Sequence, residues 1–230
     1  SVYNLVLRGA RLPIDGVPDW QVQQQALRSA VSEAFSFIDD KIRAFSNRSE
    51  APNALNIYKV QDFISKFAGT TKKPGFFFTL NQDLLVERHH YNGKYPTLLG
   101  IPHRSTWFSS NGASSLQDEK CILPLSVEGI GVGNADFYYI KLHGSSNWYS
   151  SDQETMVIGQ AKANQIAAQP LLARYYEIFQ AVLTGEKRLL CIGYSFCDPH
   201  INQAIENGLK AGLRLYILSP ESPDVLAARL

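Results

Sequence analysis

The sequence predicts an α/β fold, a three-layer sandwich around an open, mostly parallel sheet. Three observations carry this. First, Lys187–Leu218 reads as strand, turn, helix and strand: an apolar run at Leu189–Ile192, the turn Gly193-Tyr194-Ser195, an amphipathic stretch opened by Asp198-Pro199 and closed at Gly212, and a second apolar run at Leu215–Leu218. Second, strands alternate with helices along the chain. Third, three apolar strands each end in a polar cluster, and in an open parallel sheet ligands bind beyond the carboxyl ends of the strands.

The elements follow in order. Tyr3–Leu7 is a short apolar strand, and Gly9–Trp20 a loop with two glycines and two prolines. Over Gln21–Phe45 the residues Val22, Ala26, Ala30, Val31, Ala34, Phe35, Ile38, Ile42 and Phe45 lie on one helical stripe, with Asp19 placed to cap it. Leu55–Phe67 is a second helix, Phe76–Leu80 a strand and Leu84–Arg88 a short helix. From Tyr91 to Gly133 the pattern dissolves into Gly, Pro, Ser and Asn, with only Cys121–Leu125 apolar enough for a strand. Such a stretch reads as an insertion or a cover over a site. Phe137–Leu142 is a buried strand, Pro170–Leu183 a helix, and Pro223–Leu230 opens a last helix after the strand–helix–strand unit.

Composition sets the frame. The chain has 230 residues, 45% of them hydrophobic, and a net charge of +1. That suits one core with a small inserted lobe and carries no bias toward nucleic acid or anionic membranes. The apolar runs are of strand length, too short to span a bilayer. No stretch reads as a signal peptide, Ser1 fits a trimmed start, and a cytoplasmic location is expected. Cys121, Cys191 and Cys197 form no C-x-x-C pair, and three is an odd count, so a disulfide framework is not expected. The spacing of His89, His90 and His103 places no tetrahedral metal set.

The polar clusters are Thr79-Leu80-Asn81-Gln82-Asp83, His143-Gly144-Ser145, and Gly193-Tyr194-Ser195 with Asp198 after it. A single such cluster is ordinarily a turn or a cap. His143 alone reads as a strand-end histidine bonding nearby backbone, Asp198 before Pro199 as an N-cap, and His200 as a surface residue. Trp107, Phe108 and Trp148 suit core packing or a pocket cover. Three clusters at carboxyl ends, all bearing groups fit for acid–base or hydrogen-bond work, point to a shared site.

These motifs resemble the sirtuin-like superfamily, of the silent information regulator two type. Thr79, Asn81 and Asp83 match its T-x-N-x-D, Leu142-His143-Gly144 its L-H-G, and Gly193-Tyr194-Ser195 its G-[ST]-S. The form GYSFCDPHIN is similar to the NADase subgroup of bacterial antiphage defence. Two departures stand out. The opening G-A-G-x-S is reduced to Gly9-Ala10, followed by Gly16-Val17-Pro18; the loop has either diverged or lost residues between Ala10 and Arg11. The segment after Tyr149 also lacks the two C-x-x-C pairs of the zinc module, which needs four thiolates.

The resemblance implies a Rossmann-like NAD-binding domain over residues 1–230, with 91–133 as its insertion and no zinc. NAD is implied as substrate, cleaved between nicotinamide and ribose through an oxocarbenium-like state. Asn81 is suited to hold a water or a ribose hydroxyl. His143 is suited to act as general base, since its ordinary pKa lies near neutrality. Asp83 is assigned to the nicotinamide carboxamide or to orienting its loop. Gly9, Ala10, Thr79, Gly144, Gly193 and Ser195 are assigned to the cofactor, the last two at phosphate or adenosine ribose. Ser219 stands where sirtuins place an adenosine-binding asparagine. An NAD hydrolase is expected; an NAD-dependent protein deacylase and an NAD- or ADP-ribose-binding oligomerisation module are the alternatives. The expected partners are further copies of the chain and a fused or separate ATPase of HerA type or a sensor module. Direct contact with nucleic acid or membrane is not expected.

Overall fold

The computed structural model describes residues 56–89, 96–101, 121–150, 153–159 and 161–229, together with 26, 29–31, 33–38 and 41. The expected strand at Tyr3–Leu7, the loop with Gly9 and Ala10, the Asp19 cap, His90, His103, Trp107 and Phe108 lie outside the described residues. Residues 33–38 are helical, within the stretch whose periodicity predicts it. The chain divides into two compact units, Ser1–Leu172 and Ala173–Leu230.

In the first unit, helix α1 (Ile57–Ser65) opens at Asn56, whose side chain accepts from the Lys59 amide at 3.1 Å. This satisfies one of the N–H groups that a helix start leaves open. Strand β1 (Gly75–Thr79) follows, then helix α2 (Leu85–His89), β2 (Thr97–Leu98) and β3 (Cys121–Ile122). The apolar strand β4 (Phe137–Lys141) is buried at all five positions. It lies between β1 and β2 and pairs parallel with both, in a register that sets Thr79 beside Lys141. Ile64 of α1, Val86 of α2, and Phe137 and Tyr139 of β4 form one core cluster, with Val60, Phe77 and Leu98 packed on it. The two helices therefore cover one face of this sheet and fix the carboxyl ends of β1 and β4 side by side. The Tyr138 hydroxyl accepts from the amides of Gly133, Asn134 and Ala135 at 2.8–2.9 Å, which closes the loop entering β4.

The chain then departs from the sequence expectation. Beyond His143 runs a seven-residue strand, β5 (Gly144–Ser150), paired antiparallel with β6 (Gln153–Met156) and parallel with β3. Its composition, GSSNWYS, hides it, because only Trp148 and Tyr149 have strand-favouring side chains. Trp148 is fully buried, so it packs in the core and does not cover a pocket. Helix α3 (Lys162–Ala167) was likewise not anticipated.

Helix α4 (Pro170–Val182) spans the boundary between the units. The second unit holds β7 (Arg188–Ile192), α5 (Pro199–Lys210), β8 (Arg214–Leu218) and α6 (Pro223–Ala227). β7 and β8 pair parallel across a helical crossover, as the sequence predicts. In α5 the residues Ile201, Ala204, Ile205 and Gly208 are buried, the spacing of one helix face. Tyr176 of α4 donates from its hydroxyl to the His200 carbonyl at 2.6 Å, so α4 and α5 meet at the start of α5. Strands, helices and mostly parallel pairing make this a mixed α/β fold of Rossmann-like kind; among the described residues every pairing of the strands β1–β8 is parallel except β5 with β6. No helix among the described residues is long and apolar enough to cross a membrane.

Candidate functional site

One candidate site lies in the first unit, at the carboxyl ends of β1 and β4. Asn81 is exposed two residues past β1. Its amide donates to the Thr79 hydroxyl at 3.0 Å, so Thr79 closes the turn that presents it. The Thr79 carbonyl accepts from the Leu142 amide at 3.0 Å, carrying the ladder one step past the strands. Gln82, nearly buried, crosses to the other strand end. Its Nε2 donates to the carbonyls of His143 (3.1 Å) and Val157 (2.9 Å), and its own carbonyl accepts from the Ser146 amide at 2.9 Å. The loop bearing Asn81 is thus tied by hydrogen bonds to the turn bearing His143.

Asp83 has a structural task. One carboxylate oxygen accepts from the Leu85 amide at 2.9 Å and so caps the first turn of α2. His143 is 3% exposed, and its carbonyl accepts from the Val157 amide at 2.9 Å. Gly144 has φ +75°, and a Cβ there would stand 2.1 Å from the Thr155 carbonyl oxygen. Only glycine allows this approach of β6, which is why a glycine follows the histidine.

A separate candidate region lies within the second unit, at the carboxyl ends of β7 and β8. Ile192 and Leu218 are register partners, and the Gly193 amide donates to the Leu218 carbonyl at 3.0 Å. Gly193 and Ser219 therefore leave adjacent strand ends. Gly193 has φ +65°, yet a Cβ there would meet nothing within 4 Å. The turn needs glycine for its backbone angle and leaves open space above it. Ser195 is exposed; its carbonyl accepts from Arg229 Nη1 at 2.6 Å, and Arg229 also holds Glu221 through both terminal nitrogens at 2.8 and 3.0 Å. The Ser219 hydroxyl accepts from the Glu221 amide at 3.2 Å. Tyr194 donates to Asn202 Oδ1 at 2.8 Å, and burial, reinforced by the nearby Asp198 charge, pushes its phenol well above the usual range. Phe196, buried, holds a left-handed backbone (φ +55°) against the Tyr194 ring at 4.6 Å. Such an angle is uncommon for a residue with a side chain and marks a fixed turn.

Asp198 occupies the N-cap position of α5, but its carboxylate makes no capping bond. Its carbonyl instead accepts from the Ile201 and Asn202 amides at 3.0 Å each. The expected side-chain cap is corrected accordingly: the extended backbone of Asp198 and Pro199 at N1 start the helix without it.

A family model described as SIR2-like domain matches residues 75–230. The chain belongs to the SIR2-like family. The match covers about two thirds of the sequence and takes in both candidate regions; it begins after Gly9 and Ala10. No curated protein matches the chain. Membership carries NAD-dependent activity in general, so the residues present must fit a dinucleotide. They do so in two respects. Within the first unit Asn81 is an exposed polar side chain at a strand end; within the second, taken by itself, Ser195 is another, and the space above Gly193 admits a ligand close to the backbone. Among the described residues no group of three or more His, Cys, Asp or Glu could hold a metal ion.

Sequence reasoning singles out Thr79, Asn81, Asp83, His143, Gly144, Gly193, Ser195 and Ser219, and each lies at or just past the carboxyl end of β1, β4, β7 or β8. It assigns no role to Gln82, Lys141 or Glu87. A glutamine inside a motif and a lysine inside an apolar strand were the available signals.

Proposed function

We propose that this SIR2-like protein is an NAD+ hydrolase, which cleaves the bond between nicotinamide and ribose to give nicotinamide and ADP-ribose. The observation that carries this reading is the hydrogen bonding of the loop bearing Asn81 to the turn bearing His143 at neighbouring strand ends. The Gln82 side chain bonds the His143 carbonyl, and the Leu142 amide bonds the Thr79 carbonyl. Two groups so held suit a single hydrolytic step. The Asn81 amide, which both donates and accepts, orients the water. His143 takes its proton as the water oxygen bonds to the anomeric carbon, and the electron pair of the broken bond leaves with nicotinamide. The proton then passes to solvent. Ser195, Ser219 and the open turn at Gly193 are assigned by the family resemblance to phosphate and adenosine ribose.

Hydrolysis is favoured over deacylation by the sequence after Tyr149, which lacks the paired C-x-x-C of the zinc module in deacylating relatives. The form of the third motif further supports an effector of bacterial antiphage defence that depletes NAD. Incubation with NAD, with and without an acylated peptide, and chromatographic analysis of the products tests the proposal. Nicotinamide and ADP-ribose from NAD alone are expected. Turnover only with the peptide, or NAD binding without turnover, would overturn it.

A further inference from the structure

A buried charge pair lies directly behind the Asn81 loop. Lys141 closes β4, two residues before His143, and its side chain is fully buried. Its ammonium donates to Glu87 Oε1 at 2.8 Å and to the carbonyl of Asp83. The other oxygen of Glu87 accepts from the Tyr139 hydroxyl at 3.3 Å. Tyr139 and Lys141 point to the same face of β4, so both reach α2 from one side. The pair therefore links three segments: β4, which leads to His143; α2, which follows the loop; and the loop itself, at Asp83.

Such a pair is a poor source of stability. Removing two charges from water costs several kcal/mol per ion, and apolar replacements of similar volume are often as stable or more so. A lysine at the end of a five-residue strand buried throughout thus asks for another account. What the ammonium adds is direction: it holds a backbone carbonyl and a carboxylate at once. Asn81 then sits between fixed points, with Thr79 bonded by Leu142 on one side and, on the other, Gln82 bonded to His143 and Asp83 bonded to Lys141. An exposed residue on a loop ordinarily has unheld flanks, and here the flanks are held by hydrogen bonds on both sides.

We infer that Lys141 and Glu87 are positioning residues, a buried ion pair that sets the Asn81 loop against His143. The inference rests on the proposed hydrolase reading, and its test keeps the two apart. The decisive variant is the double replacement Lys141→Met with Glu87→Leu, which removes both charges together with their bonds to the Tyr139 hydroxyl and the Asp83 carbonyl. Its unfolding should stay cooperative, with a modestly lowered midpoint that reflects the two lost hydrogen bonds. Its kcat for NAD cleavage should fall about tenfold or more, since a small misplacement of a reacting group is costly. KM should stay within about twofold, because the binding contacts are untouched. Hydrogen exchange of the amides over residues 81–85 should quicken about tenfold, reporting a loosened loop. The near-isosteric Glu87→Gln, which keeps an acceptor for Lys141, should move kcat and exchange in the same directions by less, and it decides the matter should the double variant not fold. Wild-type kcat together with wild-type exchange in a folded variant would overturn the inference. Exchange needs no turnover: a wild type that does not cleave NAD would sink the hydrolase reading, while quickened exchange at 81–85 would still uphold the anchor.

Discussion

The ends of β4 and β7 look alike in sequence and behave differently in structure. Each strand is apolar and runs into a short polar turn that contains a glycine. β4 is buried at every position, and its turn is enclosed: His143 is 3% exposed, and Gly144 is pressed against the Thr155 carbonyl. β7 exposes Leu190 and Ile192, and its turn is open, with nothing within 4 Å of the place a Gly193 Cβ would occupy. An enclosed turn tied to its neighbours by hydrogen bonds suits groups that must act at fixed positions on a reacting bond. An open turn suits close approach of a ligand to the backbone. Two glycines at matching motif positions thus serve different physical ends, and a fold can carry both from one sequence pattern.

Replacing the two glycines tests that difference most strongly. Gly144→Ala combines a positive φ with a collision against backbone and should cost about 2–4 kcal/mol of stability. Gly193→Ala carries only the left-handed angle and should cost about 1–2 kcal/mol. Urea denaturation of both variants measures the gap, and equal costs would remove the distinction between an enclosed and an open turn.

The β7 end should also reveal itself in alkali. Burial pushes the Cys191 thiol from 9.0 up to about 11, and burial with the Asp198 charge raises the Tyr194 phenol from 10.0. Both groups keep their protons longer in the folded than in the unfolded chain. Their contribution is complete below pH 9 and declines as pH rises through 9 to 11 and beyond. Denaturation midpoints should therefore drop from pH 8 to pH 10.5, and the drop should shrink in Cys191→Ala and Tyr194→Phe. The smallest effect is expected at Asp198. With no capping bond from its carboxylate, Asp198→Ala should shift stability by less than about 0.5 kcal/mol, below the ~1 kcal/mol typical of a lost cap.

The strand ends were legible because their signals are local. Phe76–Leu80, Phe137–Leu142 and Leu189–Ile192 are apolar runs broken by polar residues, and the structure places β1, β4 and β7 within a residue or two of them. The crossover from β7 to β8 was legible for the same reason, with Pro199 and Gly212 as its punctuation. The β5–β6 hairpin was not, because its strands are polar and its register is irregular between Gly144 and Tyr149. The hidden part of the site is long-range. Gln82 meets His143 across 61 positions, and Lys141 meets Glu87 across 54. No local pattern announces such partners. The sequence marks which residues have the right chemistry, and the packing decides which of them carry loads for the others.

The central claim is that Asn81 and His143 act together on one bond. Nicotinamide release from NAD by wild type, Asn81→Ala and His143→Ala, with circular dichroism to establish that each is folded, tests it most directly. The account predicts that wild type releases nicotinamide and ADP-ribose without any peptide, and that each variant loses about a hundredfold or more of that activity. A folded His143→Ala variant that cleaves NAD at the wild-type rate would contradict it.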